Sequence, residues 1–411
     1  MDARAVMRRL FVPGRIELFG KHVDYGGGVS MTCAIGEGIT AQVEPIPALV
    51  IDLEDLRTRR RARVALRRDA RPGGAHGGTY VAAVARRLAR DFGPLTSGVR
   101  VVSSSSLPRS AGLSSSSAFV TMLTMAVAEA NRLTERPEWL EHLGTRLALA
   151  EYCGAIEMGA PFGPWEGERG VGTRGGAQDH VAILCNDAEM VGAYRYLPAE
   201  LVGQATFPRQ WVILVGVSGV RATKTGGAQA DYNRAADLVR GLVQRWNRVT
   251  GRSDISLVAA LNSAPEAGEA LERLAHRTDE APWLTARLAQ FRRETEHVVP
   301  GALAAVSAVD GVALGRWAVE SQQGAETALR NQVPETMFLA RAAMACGAHA
   351  ASAFGAGFGG AVWAIADAAE APEVLTRWKR EYGRAFPGRA AKSEWLTLRP
   401  AAGLRWLPED P

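Results

Sequence analysis

Asp179 stands in the stretch Gly175-Gly176-Ala177-Gln178-Asp179-His180, behind a glycine-rich segment and at the start of a predicted helix. A carboxylate there can accept a proton from an attacking hydroxyl. It can equally be an ordinary acidic residue in a first helical turn. Upstream lies Leu107-Pro108-Arg109-Ser110-Ala111-Gly112-Leu113-Ser114-Ser115-Ser116-Ser117-Ala118. Its small residues let the backbone curl, and an apolar helix begins where it ends. Unpaired N–H groups at such a helix start bind phosphate, helped by the helix dipole. The serine hydroxyls add donors and a possible Mg²⁺ ligand. A serine-rich linker or a plain N-cap would look the same, and the GxxxxGK[ST] loop is absent.

Two further stretches carry the same kind of signal. Pro13-Gly14-Arg15-Ile16-Glu17-Leu18-Phe19-Gly20-Lys21-His22-Val23-Asp24-Tyr25 sets ionisable groups among apolar residues and glycines. That mixture of donors and acceptors suits the floor of a site for a polyhydroxylated ligand. A surface turn with Arg15 paired to Asp24 fits it too. Gly355-Ala356-Gly357-Phe358-Gly359-Gly360 permits close backbone approach and positive φ, in a binding wall or in a simple hairpin turn.

The elements that must position these groups follow from periodicity and punctuation. Pro13-Gly14-Arg15 reads as a break before an alternating stretch, Ile16–Phe19, and Asp24–Gly28 reads as a turn. Strands are predicted at Val29–Ile35, Thr40–Val43, Leu49–Asp52, Arg63–Leu66, Gly98–Ser103, Trp211–Val217, Ala361–Ile365 and Trp395–Leu398. Helices are predicted at Thr79–Asp91, Ser116–Asn131, Glu141–Met158, Tyr232–Arg248, Leu257–Leu274, Trp283–Glu296, Val319–Met344 and Val374–Phe386. Ala160–Gly176 reads as a loop. The Arg57–Arg61 run suits a solvated hairpin edge, where charge blocks sheet association. The class is α+β, without internal repeats. Composition shifts from strand-rich to helix-rich near residue 205, which suggests domains 1–205 and 206–411.

The bulk numbers are those of a globular chain. Its 411 residues, 47% of them hydrophobic, exceed what one core usually organises. The net charge of +5 is carried almost wholly by arginine; Lys21, Lys224, Lys379 and Lys392 are the lysines. A pocket for an anionic ligand such as ATP accounts for it as well as nucleic acid does, and nucleic acid is not expected. Cys33, Cys153, Cys185 and Cys346 lack metal or disulfide spacing, which suits a reducing cytoplasm. Met1–Leu10 is too charged and short for a signal peptide, and no run is apolar enough to span a membrane.

Taken together, the stretches resemble the GHMP kinases, and within them the galactokinase branch. Gly14–Tyr25 is similar to the galactokinase signature G-R-x-N-[LIV]-I-G-[DE]-H-x-D-Y. Leu107–Ala118 resembles the family's phosphate loop, and Gly355–Gly360 matches its third motif, G-[AG]-G-F-G-G. Val217-Ser218-Gly219-Val220-Arg221, with Tyr232 downstream, is also galactokinase-like. The resemblance implies an N-terminal domain like ribosomal protein S5 domain 2, a ferredoxin-like C-terminal domain, and ATP and a sugar in the cleft between them. Asp179 is then the expected base and Arg15 its cationic partner. Pro108, Ser110, Ala111, Gly112, Leu113, Ser114, Ser115, Ser116 and Ser117 are expected at the nucleotide. Ser116 and Glu151 are expected on Mg²⁺, with Glu157 an alternative to Glu151. Glu17, Lys21, His22, Asp24, Gly176, Tyr232 and Gly357 are expected at the sugar. The implied product is a sugar 1-phosphate, made by a monomer or homodimer without membrane partners.

Three signature positions depart from the pattern: Glu17 replaces Asn, Phe19 replaces Ile, and Lys21 replaces the acidic residue before His22. Lysine has three donors and no acceptor, so Lys21 leads to the expectation of an anionic acceptor: a sugar phosphate, a heptose- or octose-type sugar, or a uronic acid. A Lys21 that swings away, or pairs with Glu17 or Asp24, would leave a plain aldose. Galactokinase-like proteins also include non-catalytic sugar sensors. The complete Ser115-Ser116-Ser117-Ala118 run and Asp179 favour an enzyme.

Overall fold

The computed structural model describes residues 7–73, 77–108, 111–221 and 229–408, with the backbone alone for 229–232. The opening strands are β1 (Arg8–Phe19), β2 (Val29–Ile46), β3 (Val50–Asp55), β4 (Arg60–Ala65), β5 (Gly98–Ser105), β6 (Met190–Arg195) and β7 (Glu200–Thr206). The next are β8 (Trp211–Val217), β9 (Ala350–Ala353), β10 (Ala361–Asp367) and β11 (Glu394–Leu398), and they form a separate four-stranded sheet in the order β11-β8-β10-β9. The chain then returns. β12 (Pro400–Ala401) pairs β2 and β13 (Arg405–Leu407) pairs β1, which completes a nine-stranded first sheet. The change of sheet falls between Thr206 and Trp211, but residues 400–407 belong to the first sheet rather than to the second.

Several predicted breaks are absorbed by tertiary pairing. β1 runs straight through Pro13-Gly14, with only a register shift against β2 between Pro13 and Arg15. The two strands expected within 29–43 are one, because β1 and β5 pair along its length. Conversely, the helix expected over Glu141–Met158 is two, Pro137–Leu143 and Arg146–Met158. Thr145 caps the second by accepting from Ala148 N at 3.1 Å. The arginine run sits at the β3–β4 hairpin, and β4 is an edge strand.

The first sheet packs on the helices Gly78–Asp91, Ser115–Ala130, Arg146–Met158 and Gln178–Cys185, around Val84, Leu123, Tyr152 and Ile183. The second sheet buries Ile213 and Trp363 on one face, and on the other Trp378 from helix Ala371–Ala385. A third body is wholly helical: Gln229–Thr250, Leu257–Leu261, Ala267–His276 and Ala281–Arg293 close around Trp246, Leu271 and Phe291. Val23 and Tyr25, from the turn after β1, are part of that helical core. Among the described residues no helix is long and apolar enough to cross a membrane.

Candidate active site

The end of β1 and the serine-rich loop are built to touch. A Cβ on Gly14 would lie 2.6 Å from Leu107 Cδ2 and 2.9 Å from Leu113 O, so only glycine fits there. Arg15 N donates to Leu113 O at 3.3 Å, and Arg15 Nη1 donates to Gly112 O at 2.6 Å. The loop enters its helix through Gly112 (φ +79°) and Ser114 (φ +59°), both left-handed. Left-handed backbone in a non-glycine residue stores roughly 1–2 kcal/mol, held here by the surrounding packing. Ala111 and Leu113 turn inward to the second sheet's core; Ser115 is exposed and Ser116 half-exposed. Pro108 is buried. Ser114 Oγ is buried with no partner among the described residues, and its hydroxyl remains available to an acceptor. Ser110 and the side chain of Tyr232 lie outside the described residues.

Helix Gln178–Cys185 brings Asp179 to this junction. Arg15 Nε and Nη2 donate to Asp179 Oδ1 at 2.8 and 2.6 Å. Ser117 Oγ lies 3.3 Å from Asp179 Oδ2 and donates to Glu157 Oε2 at 3.0 Å. His180 completes the cluster, with Nε2 3.0 Å from Glu157 Oε2 and Nδ1 3.2 Å from Thr121 Oγ1. Glu151 is elsewhere: its Oε1 accepts from Ala199 N at 2.8 Å. Ser117 and Glu157 line the cleft, whereas the expected Ser116 and Glu151 are not among its lining residues. Six positions on a helix turn a side chain through about 240°, so Glu151 and Glu157 cannot share a face.

The remaining wall comes from the turn after β1. Asp24 Oδ2 accepts from Gln178 N at 3.3 Å, and a Cβ on Gly176 would lie 2.4 Å from it. Gln178 Nε2 also donates to Glu17 Oε2 at 2.5 Å. Glu17 Oε1 is buried without a partner among the described residues. Burial pushes the Glu17 carboxyl up to about 7, against the pull of Arg15 and Lys21. Tyr25 Oη lies 3.3 Å from His22 Nδ1, and His22 Nε2 lies 3.3 Å from Ala356 O. Arg15, Glu17, His22, Asp24, Tyr25, Ser117, Glu157, Gly176, Asp179, Gly355 and Ala356 all line one cleft. Gly357 backs the wall instead, where its missing Cβ leaves room for Asn331 O at 2.3 Å.

Lys21 does not face this cleft. It is buried, and its Nζ donates to Ser321 Oγ at 2.5 Å and Ser352 Oγ at 2.9 Å. Ser321 Oγ in turn donates to Glu294 Oε1 at 2.5 Å. Left-handed Gly20 (φ +86°) and His22 (φ +57°) reverse the chain on either side of Lys21 and send its side chain to the second sheet. Lys21 is thus turned away from the cleft in which the sequence led it to be expected. Among the described residues, Arg15 lines the cleft together with the carboxyl groups of Asp24, Glu157, Asp179 and the burial-shifted Glu17.

Sequence reasoning gave no role to His180, Asn331 or Arg287. His180 stood inside a stretch singled out for Asp179. Asn331, whose Nδ2 donates to Ala356 O at 3.2 Å, had no local signal at all.

Comparison with known proteins shows what the chain is similar to. Residues 79–159 match the GHMP kinases N terminal domain, and residues 302–385 match the GHMP kinases C terminal domain. Residues 7–45 match the galactokinase galactose-binding signature. The chain is 25% identical over 401 residues to the galactokinase of Thermococcus kodakarensis, covering 97% of this chain and 100% of that one. It is 27% identical over 358 residues to the galactokinase of a Roseiflexus species, covering 85% and 80%. The structure of Lactococcus lactis galactokinase complexed with galactose superposes with a TM-score of 0.77 at 19% identity, covering 98% of this chain and 95% of that one.

Proposed function

Since the chain belongs to the GHMP kinases, on their galactokinase-like side, and is an ATP-dependent sugar kinase, we propose that it phosphorylates the anomeric hydroxyl of a neutral aldose. The observation that carries this reading is the Arg15–Asp179 pair beside Ser117 and Glu157, where the glycine-serine loop enters its helix. Asp179 Oδ1 is held by Arg15, and the Asp179 carboxylate is the group that takes the proton of the acceptor hydroxyl. The freed oxygen attacks the γ-phosphorus, the bond to the β-phosphate oxygen breaks, and ADP leaves with the electron pair. Such transfer is mainly positioning and charge neutralisation. Arg15 offsets the negative charge that develops on the nucleophile as Asp179 takes its proton.

The nucleotide phosphates would lie on the main chain of residues 112–117, with Ser114 Oγ supplying a donor that is otherwise unused. Ser117 Oγ and Glu157 are hard oxygen donors and suit Mg²⁺, which takes one or two protein ligands and completes its shell with phosphate and water. Bound there, Mg²⁺ would offset the charge of the β- and γ-phosphates.

Among the described residues that line the cleft, Asp24, Glu157 and Asp179 outnumber Arg15, and this supports a neutral polyol over a sugar phosphate or uronic acid, since like charges in a confined site repel. His22, Asp24 and Gly176 are the proposed acceptor contacts. Glu17 Oε1 faces no protein donor among the described residues and is a further candidate. The test is ADP release across a panel of galactose, other neutral aldoses, galacturonate and sugar 6-phosphates. The proposal requires a neutral aldose to have the highest kcat/KM, and it fails if an anionic sugar does.

A further inference from the structure

The segment between β1 and β2 makes little structure of its own. Gly20, His22 and Gly27 are left-handed, and the internal main-chain bonds lie within Val23–Gly28, around the short turn Asp24–Gly26. Three polar main-chain groups of residues 20–22 are satisfied from a single helical run. Gly20 N donates to Glu294 Oε2 at 3.0 Å, Lys21 O accepts from Gln290 Nε2 at 3.1 Å, and His22 O accepts from Arg287 Nη2. Arg287 Nη2 also donates to Tyr25 Oη at 3.0 Å. Residues 287, 290 and 294 are spaced i, i+3, i+7, one stripe of helix Ala281–Arg293 as it enters the π turn Glu294–Val298.

Phe291 and Thr295, on the same helical body, extend the contact. A Cβ on Gly26 would lie 2.6 Å from Phe291 Cε2, and one on Gly28 would lie 2.6 Å from Thr295 Oγ1. Arg287 is buried at 1% exposure; its Nη1 donates to Gln290 Oε1 and its Nη2 to His22 O and Tyr25 Oη, while Nε has no partner among the described residues. Interruptions of α geometry by π turns concentrate at functional sites, and this one begins at the residue that holds Gly20 N.

We infer that Arg287, Gln290 and Glu294 are positioning residues for the acceptor site: they fix the main chain that carries His22, Asp24 and Tyr25 into the cleft. The inference rests on the reading of that cleft as the sugar site. None of the three residues touches the reacting atoms. Sugar affinity is therefore set partly from the helical body, while the phosphate loop is held by the first sheet.

Kinetics of Arg287→Ala, Arg287→Lys and Gln290→Leu, with hydrogen exchange on each, test this. The expected result is a sugar KM raised about tenfold or more in Arg287→Ala, the scale of losing one charge-assisted bond and freeing a carbonyl. ATP KM should stay within about twofold, and Arg287→Lys should recover part of the loss. Amide protection should fall across residues 20–28 and persist in the phosphate-loop helix. Should Arg287→Ala fail to fold, Gln290→Leu carries the same expectations with a smaller effect. The inference is overturned by a folded variant with unchanged sugar KM, or by sugar KM, ATP KM and Tm worsening in parallel. If the wild type phosphorylates no sugar, the acceptor reading fails by itself; the protection of residues 20–28 still decides whether the stripe holds the segment.

Discussion

Asp179 Oδ1 receives two donors from Arg15, at 2.8 and 2.6 Å, across a sequence separation of 164 residues. The arginine is 2% exposed at its side chain and the aspartate 13%, so the pair joins strand β1 to the helix that starts at Gln178 while leaving the carboxylate reachable from the cleft. Asp179→Asn keeps the shape and removes the proton acceptor. It should lower kcat by roughly 10²–10⁴ while ATP still binds. Steady-state kinetics beside nucleotide titration by calorimetry check this.

Ser117 and Glu157 should carry the metal dependence. Glu157→Gln is expected to raise the Mg²⁺ concentration for half-maximal rate by about tenfold or more, since a carboxylate ligand becomes a neutral amide. Glu151→Gln should leave that concentration unchanged, because Glu151 bonds Ala199 N away from the cleft. A metal titration of both variants separates them.

The motifs of the site were legible in the sequence because each is local: glycines at Gly14 and Gly176 mark close approaches that any fold must respect. What was not legible depends on direction. Glu151 and Glu157 sit on one helix, and only the packed fold says which face meets Ser117. Lys21 occupies a position read as part of a binding floor, yet its direction follows from left-handed His22, a conformation uncommon in any non-glycine residue and so not signalled by the residue type alone. β7 was missed because its burial pattern is mostly exposed and offers no alternation. The chain's return through β12 and β13 is a long-range pairing that no local pattern encodes.

Glu17 should make stability depend on pH. Burial raises its carboxyl from an ordinary value of 4.5 to about 7, so between these values the folded chain holds a proton that the unfolded chain has lost. Folding then binds a proton, and stability falls as pH rises through that window and levels above it. The shift corresponds to about 3 kcal/mol at most. Urea unfolding from pH 5 to 8 should show a decline in the wild type that Glu17→Gln flattens.

Lys21 and Glu294 are both buried and are linked through Ser321. Lys21→Met leaves Glu294 without its cation and should cost roughly 3–5 kcal/mol. Lys21→Met with Glu294→Gln should recover part of that, as denaturant midpoints would show. The ratio of kcat/KM for neutral over anionic sugars should be the same in Lys21→Met as in the wild type, because the ammonium lies outside the cleft.

The central claim is transfer to the anomeric oxygen. Phosphorus-31 and proton NMR of the product made from ATP and the best neutral aldose tests it most directly. The account predicts one phosphomonoester coupled to H1 of the sugar, formed in step with ADP and lost in Asp179→Asn. A phosphate coupled to any other sugar proton, or ADP and free phosphate without sugar phosphate, would contradict it.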